Sequence, residues 1–344
     1  MEQSPLQMEE DAQMEEDARE RGSTDPEVYA HYTTLEEFGY EYNDAGALRK
    51  IGTDDGYEWV GDQAHYDALG DAVVSHIHSV MREQYGLVEV VLPLRGVEGR
   101  AAFEDTLGGH PPLPNPDEPT SSVFLSPDFF TADKIMVLIH GSGAVRAGMW
   151  ARKLCLNNTL ESGTMFPYIE DALADGFALA ILNPNQNGVP TGETDDDGFP
   201  VMNHVEGNES PEAHTDYVYN HFIAQTSATT LVLVAHSYGG LCVTHLLESY
   251  GDDLLDRGLA SIHFTDSINR FSHRNLSPRT TAFIKARLVN WIASRRPAGA
   301  KVKARGSKIL NLSAGHHKHE WTSYACKDHL FDLLRTHLSS PTEF

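Results

Sequence analysis

Short, largely apolar runs recur through the C-terminal two thirds of the chain. They are Val123–Leu125, Ile135–Ile139, Phe177–Leu182, Leu231–Ala235, Leu259–Phe264 and Ile309–Leu312. Runs without a polar face predict strands covered by helices on both sides. Between them, helical spacing predicts helices near 164–175, 211–226, 238–249, 278–294 and 323–338. Ser210-Pro211 supplies an N-cap followed by proline at the first helical position. Strands alternating with helices predict a doubly wound, mostly parallel α/β architecture.

Ahead of Ser121 the pattern changes. Phe38–Tyr42 and Leu48–Ile51 flank the turn Asn43-Asp44-Ala45-Gly46 and predict a hairpin. Ala64–Tyr85 has helical periodicity through Tyr66, Leu69, Val73, Ile77 and Met81, and Leu87–Leu94 reads as a strand. His76 and His78 stand two apart on that helix, on different faces, and are assigned structural roles. Arg95–Thr120 holds five Pro and four Gly in 26 residues, which predicts a surface loop. The expected organisation is a disordered acidic tail (1–30), an N-terminal β/α extension packed on the core (31–94), this loop (95–120) and the α/β domain (121–344).

Charge narrows the function classes. The formal net charge of −24 opposes indiscriminate binding to nucleic acid or anionic lipid. It is unevenly spread: Ser267–His319 contains 12 Lys and Arg and no acid. Residues 1–26 contain nine acids, two arginines and the tandem repeat Gln7–Ala12, Gln13–Ala18. Such a segment cannot bury enough apolar surface to fold alone. No stretch approaches the roughly 18 apolar residues that span a bilayer, and no membrane partner is expected. Cys155, Cys242 and Cys326 form no metal-ligand pattern and point to a reducing compartment. No cofactor and no metal are expected.

Leu231-Val-Leu-Val-Ala-His-Ser-Tyr-Gly-Gly240 carries the most chemistry. An apolar strand runs into Ala-His-Ser237-Tyr-Gly and then at once into a helix. That is the G-x-S-x-G nucleophile elbow with alanine at its first position, and it specifies the architecture as α/β-hydrolase-like. Small residues are needed two places either side of the serine because the turn is tight. The acid and base should follow in that order. Asp266 ends the run from Leu259, and His319 follows the run that ends near Ala314. Each lies past the carboxyl end of a strand, the edge where α/β sheets place their sites. His319 would take the Ser237 proton and Asp266 would hold its tautomer. His316 and His317 compete for the base position. A histidine cluster can also bind metal, but no carboxylate lies at ligand spacing. Only one strand and one helix are predicted between Asp266 and His319, which is little sheet for this fold. Oxyanion donors are expected at Gly141 and Ser142, in the glycine-rich turn after the first core strand, and at Tyr238. Arg146 is either an anion-binding residue or a structural ion pair. Gln186–Ser210 is an insertion with six acids and no basic residue, placed where a lid could sit and read as a solvated variable loop.

Several strings together resemble one family. They are Val137–Trp150 (VLIHGSGAVRAGMW), Leu182-Asn-Pro-Asn185, His221–Gln225, Ala235–Gly240 and Thr265-Asp-Ser267. Upstream they are joined by Glu37-Phe-Gly-Tyr40, Leu48-Arg49 and Tyr66–Gly70. The set is similar to the Argonaute-binding-protein-two (Arb-two) domain family, in particular its animal cotranscriptional-regulator branch. The resemblance implies a hydrolase-like fold, a nuclear location with the cytoplasm second, and Argonaute or chromatin-associated partners. It also implies a role in small-RNA-directed heterochromatin formation, with small RNA engaged indirectly. It places Ser237, Asp266 and His319 at the triad-like positions, with Glu320 after the histidine. The chain departs from the animal branch at Gln186–Ser210, where those proteins are basic and this chain is acidic, which counts against nuclear import by that route. Arg295, Arg296, Lys301, Lys303 and Arg305 are the replacement on offer, against the plainer reading of a solvated face. The leading expectation is therefore an interaction protein. A working serine hydrolase on an ester, thioester or amide is the alternative. Direct RNA binding ranks third, because stacking aromatics and a basic groove are lacking.

Overall fold

The structure is a computed structural model that describes Tyr29 and residues 31–195, 198–272, 275–303 and 309–340. The acidic tail, apart from Tyr29, and Arg305 lie outside the described residues.

The extension begins with an antiparallel hairpin, β1 (Tyr40–Tyr42) and β2 (Leu48–Lys50), joined by the expected Asn43–Gly46 turn. Helix α1 (Gln63–Glu83) follows. The Asp62 carboxylate caps it, accepting the N–H groups of Ala64 and His65 at 3.0 and 3.3 Å. Loss of such a cap costs about 1 kcal/mol. Leu69, Val73, Ile77 and Met81 form its buried stripe, the spacing of one helical face.

Eight strands build the central sheet. In chain order they are β3 (Val88–Leu92), β4 (Ser121–Leu125), β5 (Lys134–Ile139), β6 (Ala178–Ile181), β9 (Thr230–His236), β10 (Leu259–Thr265), β11 (Leu288–Ile292) and β12 (Leu310–Ser313). The spatial order is β12-β11-β10-β9-β5-β6-β4-β3. Only β4 runs against its neighbours, and the pairings from β6 to β12 are all parallel. Period-two alternation sorts each strand between two cores. Met136, Leu138, Val232 and Val234 face one helical layer, with α1, α5 (Phe166–Ala174) and α9 (Thr322–Ser339). Ile135, Val137, Ile139, Leu231, Leu233 and Ala235 face the other. That layer holds α2 (Gly99–Leu107), α6 (Pro211–His221), α7 (Gly239–Asp256) and α8 (Pro278–Arg287). Short helices α3 (Arg152–Asn157) and α4 (Leu160–Gly163) pack beside α1 and α5. The fold is α/β-hydrolase-like.

Four expectations are corrected. The segment 278–294, predicted as one helix, is α8 followed without a loop by β11; Leu288 already has extended backbone angles (φ −98, ψ 125). Leu288 joins one core while Val289 and Trp291 join the other, so this is a strand buried on both faces. The missing sheet between Asp266 and His319 is thereby supplied. The Pro/Gly-rich stretch 95–120 contains α2, whose Ala102 and Phe103 are buried. Its prolines and glycines cluster at the two ends and leave a nine-residue helix intact. The strand assigned to the extension, β3, is the edge of the central sheet. The acidic insertion is an antiparallel ribbon, β7 (Gly188–Thr194) with β8 (Pro200–His204), exposed along nearly its whole length.

Candidate active site

Strand β9 ends at His236, Ser237 turns, and α7 begins at Gly239. Ser237 has φ 52, in the left-handed region that L-residues avoid. The close packing of the elbow explains its small residues. A Cβ on Gly239 would lie 2.8 Å from the carbonyl oxygens of Ile139 and His140, and one on Gly240 would lie 2.5 Å from that of Ile268. The Ser237 carbonyl accepts the N–H groups of Gly240 and Ile268 at 3.1 and 3.2 Å. These contacts hold the serine at the carboxyl edge of the sheet, half-exposed.

Asp266 ends β10 next door. Among the described residues, it and Ser237 are the only non-glycine residues with positive φ, and Asp266 stands at φ 50. Such strain persists only where the surroundings fix it. Here the Asp266 N–H donates to Trp291 O at 2.8 Å and Oδ1 accepts the Ala293 N–H at 2.9 Å, so β11 and the residue just past its end supply the two anchors. Oδ2 is 2.7 Å from His319 Nδ1. Burial works to raise the Asp266 carboxyl. The His319 hydrogen bond and charge, with the Ala293 N–H, outweigh it and hold the carboxyl below the usual range.

His319 begins a 3-10 turn, His319–Trp321, at the head of α9. Its ring lies 4.7 Å from that of His236. His236 is enclosed, its Nδ1 meets Thr265 O at 2.8 Å, and burial keeps it neutral, down to about 3. The geometry pairs His319 with the acid. His316 and His317 stack on each other at 5.0 Å, and among the described residues neither pairs with a carboxylate. His319 and Asp266 are joined. Among the described residues no hydrogen bond spans from His319 to the Ser237 hydroxyl, an open link of the kind common without substrate.

Gly141 packs on the nucleophile: a Cβ there would meet Ser237 Cβ at 2.7 Å and Oγ at 3.2 Å. Ser142 is exposed beside it. Tyr238, whose N–H follows the serine, donates its hydroxyl to Glu212 Oε1 at 2.8 Å. Arg146 donates to Val145 O at 3.0 Å and, among the described residues, forms no ion pair. Burial lowers its pKa. Among the described residues no group of three or more His, Cys, Asp or Glu is disposed to hold a metal ion, and no helix is long and apolar enough to cross a membrane. Arg295, Arg296, Lys301 and Lys303 are exposed between β11 and β12. Sequence reasoning gave no role to His140, Asn185, Glu212 or His236. All but Glu212 fall inside the family-like strings, yet nothing in their spacing told what they touch.

A sheet with its second strand reversed, a serine on a left-handed elbow and a histidine–carboxylate pair at the same edge define an α/β-hydrolase-fold protein. More narrowly, the chain belongs to the Arb2 domain family, whose model matches residues 111–298. The cotranscriptional regulator ARB2A homolog of Dictyostelium discoideum is 34% identical, over 89% of this chain and 80% of that protein. The human cotranscriptional regulator ARB2A is 30% identical, over 88% and 80%. Among solved structures, a histone deacetylase from Saccharomyces cerevisiae superposes with a TM-score of 0.46 at 11% identity, over 79% of this chain and 97% of that one. That likeness is too slight to add to the strand order.

Proposed function

We propose that this chain is a nuclear regulator of cotranscriptional control, acting through Argonaute or chromatin-associated proteins in small-RNA-directed silencing. The observation that carries the role is the identity with cotranscriptional regulators along nearly nine tenths of the chain. Membrane association forms no part of the reading, and small RNA enters only through the protein partners. Reciprocal immunoprecipitation with Argonaute from nuclear extract tests it. Recovery in both directions is expected, and a chain confined to the cytoplasm with no Argonaute recovered would overturn it.

A second reading concerns chemistry, and the 2.7 Å contact between His319 and Asp266 beside a left-handed Ser237 favours it. The site would hydrolyse an ester, thioester or amide. Ser237 Oγ attacks the carbonyl carbon as its proton passes to His319 Nε2, and the carbonyl π electrons move onto oxygen. The N–H groups of Gly141, Ser142 and Tyr238 are the donors this reading assigns to that oxyanion. Collapse expels the leaving group, which takes the proton from His319. Water then repeats the sequence on the acyl-serine and releases the acid. Asp266 keeps the Nδ1–H tautomer and stabilises the imidazolium. Arg146 is half-buried, forms no ion pair among the described residues, and lies in the field of the Asp71 carboxylate; in this reading it meets an anionic group on the ligand. Hydrolysis of p-nitrophenyl esters by wild type, lost in Ser237→Ala, is the expected result; equal rates would sink the assignment.

A further inference from the structure

We infer that Asn185 is a positioning residue that aims the oxyanion turn, an inference that rests on the acyl-transfer reading above. Asn185 sits in the loop that leaves β6 at the same sheet edge as Ser237. Its Nδ2 donates to two carbonyls of the turn, Gly141 O at 2.8 Å and Gly143 O at 2.9 Å. His140 Nδ1 lies 2.8 Å from the same Gly141 oxygen. Both lone pairs of that carbonyl are therefore engaged. In a trans peptide the carbonyl and the next N–H point in opposite directions. Fixing the Gly141 and Gly143 carbonyls thus fixes the direction of the Ser142 and Ala144 N–H groups. The turn belongs to no helix or strand, and Gly143 has φ 93, so side-chain hydrogen bonds must do the holding.

The clamp is itself anchored. The Asn183 N–H donates to His214 Nε2 at 3.0 Å, and Asn183 Oδ1 accepts the Ala147 N–H at 3.1 Å. Helix α6, which carries His214, also carries Glu212, the acceptor for the Tyr238 hydroxyl. Tyr238 and the chain that follows the glycine turn are thus both tied to helix α6, through Glu212 and through Asn183–His214. Two bonds onto alternate carbonyls of the turn that touches the nucleophile match an aiming role.

The test compares wild type with Asn185→Ala and the isosteric Asn185→Asp, whose carboxylate has no N–H to donate. Three quantities are measured: the second-order rate of labelling by a fluorophosphonate, kcat and KM for a p-nitrophenyl ester, and backbone ¹⁵N order parameters over 141–144. Both variants should label about 10- to 100-fold more slowly, the scale of a misplaced oxyanion donor. The loss should fall in kcat with KM unchanged, and the order parameters of the turn should fall. Lowering the pH should return part of the Asn185→Asp rate relative to Asn185→Ala, because a protonated carboxyl regains one donor. Wild-type labelling and order parameters in both variants would overturn the inference while leaving the acyl-transfer reading intact. If wild type itself is unlabelled, that reading fails, and the order parameters alone decide whether Asn185 clamps the turn: a fall in both variants supports it and unchanged values overturn it.

Discussion

Moving the pH from 7.5 to 5.5 should remove a large share of the folding stability, and four histidines set the size of the loss. His140, His214, His236 and His263 are between 0 and 4% exposed. Burial holds His140 down to about 4 and the other three to about 3. An unfolded imidazole titrates near 6.5. The folded values lie below the unfolded one, so the unfolded chain binds protons first. The stability these groups contribute is complete above about pH 6.5 and is lost as pH falls from there toward 4 and 3. At pH 5.5 each neutral imidazole has given up about 1 kcal/mol, and the four together about 4 to 5 kcal/mol. A domain of this size has about 5–15 kcal/mol in total. Asp266 is depressed and acts only below the ordinary carboxylate range, outside this window. The formal charge of −24 works the other way, since acidification relieves self-repulsion. The sign of the change therefore separates the two effects. Urea unfolding at pH 7.5, 6.5 and 5.5, followed by the fluorescence of buried Trp150 and Trp291, reads it directly. An unfolding free energy that stays within about 1 kcal/mol between the end points, or rises, would refute the buried-histidine argument.

Two substitutions probe the elbow and the acid. Ser237→Gly should be about 1 kcal/mol more stable than Ser237→Ala, because only the alanine keeps a Cβ at φ 52; equal denaturation midpoints would contradict the left-handed turn. Asp266→Asn preserves shape while removing the charge that holds His319, and should slow fluorophosphonate labelling by about 10³- to 10⁴-fold. A rate within about threefold of wild type would show that Asp266 does not serve the base.

The doubly wound sheet was legible because fully buried strands need apolar residues on both faces, and Leu231–Ala235 and Ile135–Ile139 announce themselves that way. The elbow was legible because its small residues, Ala235 and Gly239, answer a steric demand within five residues. Strand β11 was not. It follows α8 with no glycine or proline to mark the change, and Leu288–Ile292 supports either element until its two cores are in place. Helix α2 was hidden by a composition window wider than the helix. The choice among His316, His317 and His319 turned on a loop geometry that sequence spacing does not encode. The roles of Asn185 and Glu212 depend on contacts across 44 and 26 residues, which no local pattern carries.

The most direct test of the site is fluorophosphonate labelling of the purified, folded full-length chain, with the adduct mapped by mass spectrometry. The phosphyl group should be found on Ser237, with fluoride released and no adduct in Ser237→Ala. A folded wild-type protein that stays unlabelled, or an adduct on another serine that persists in Ser237→Ala, would contradict the assignment of Ser237, Asp266 and His319 as a working triad. The regulatory reading would then have to stand on its partners alone.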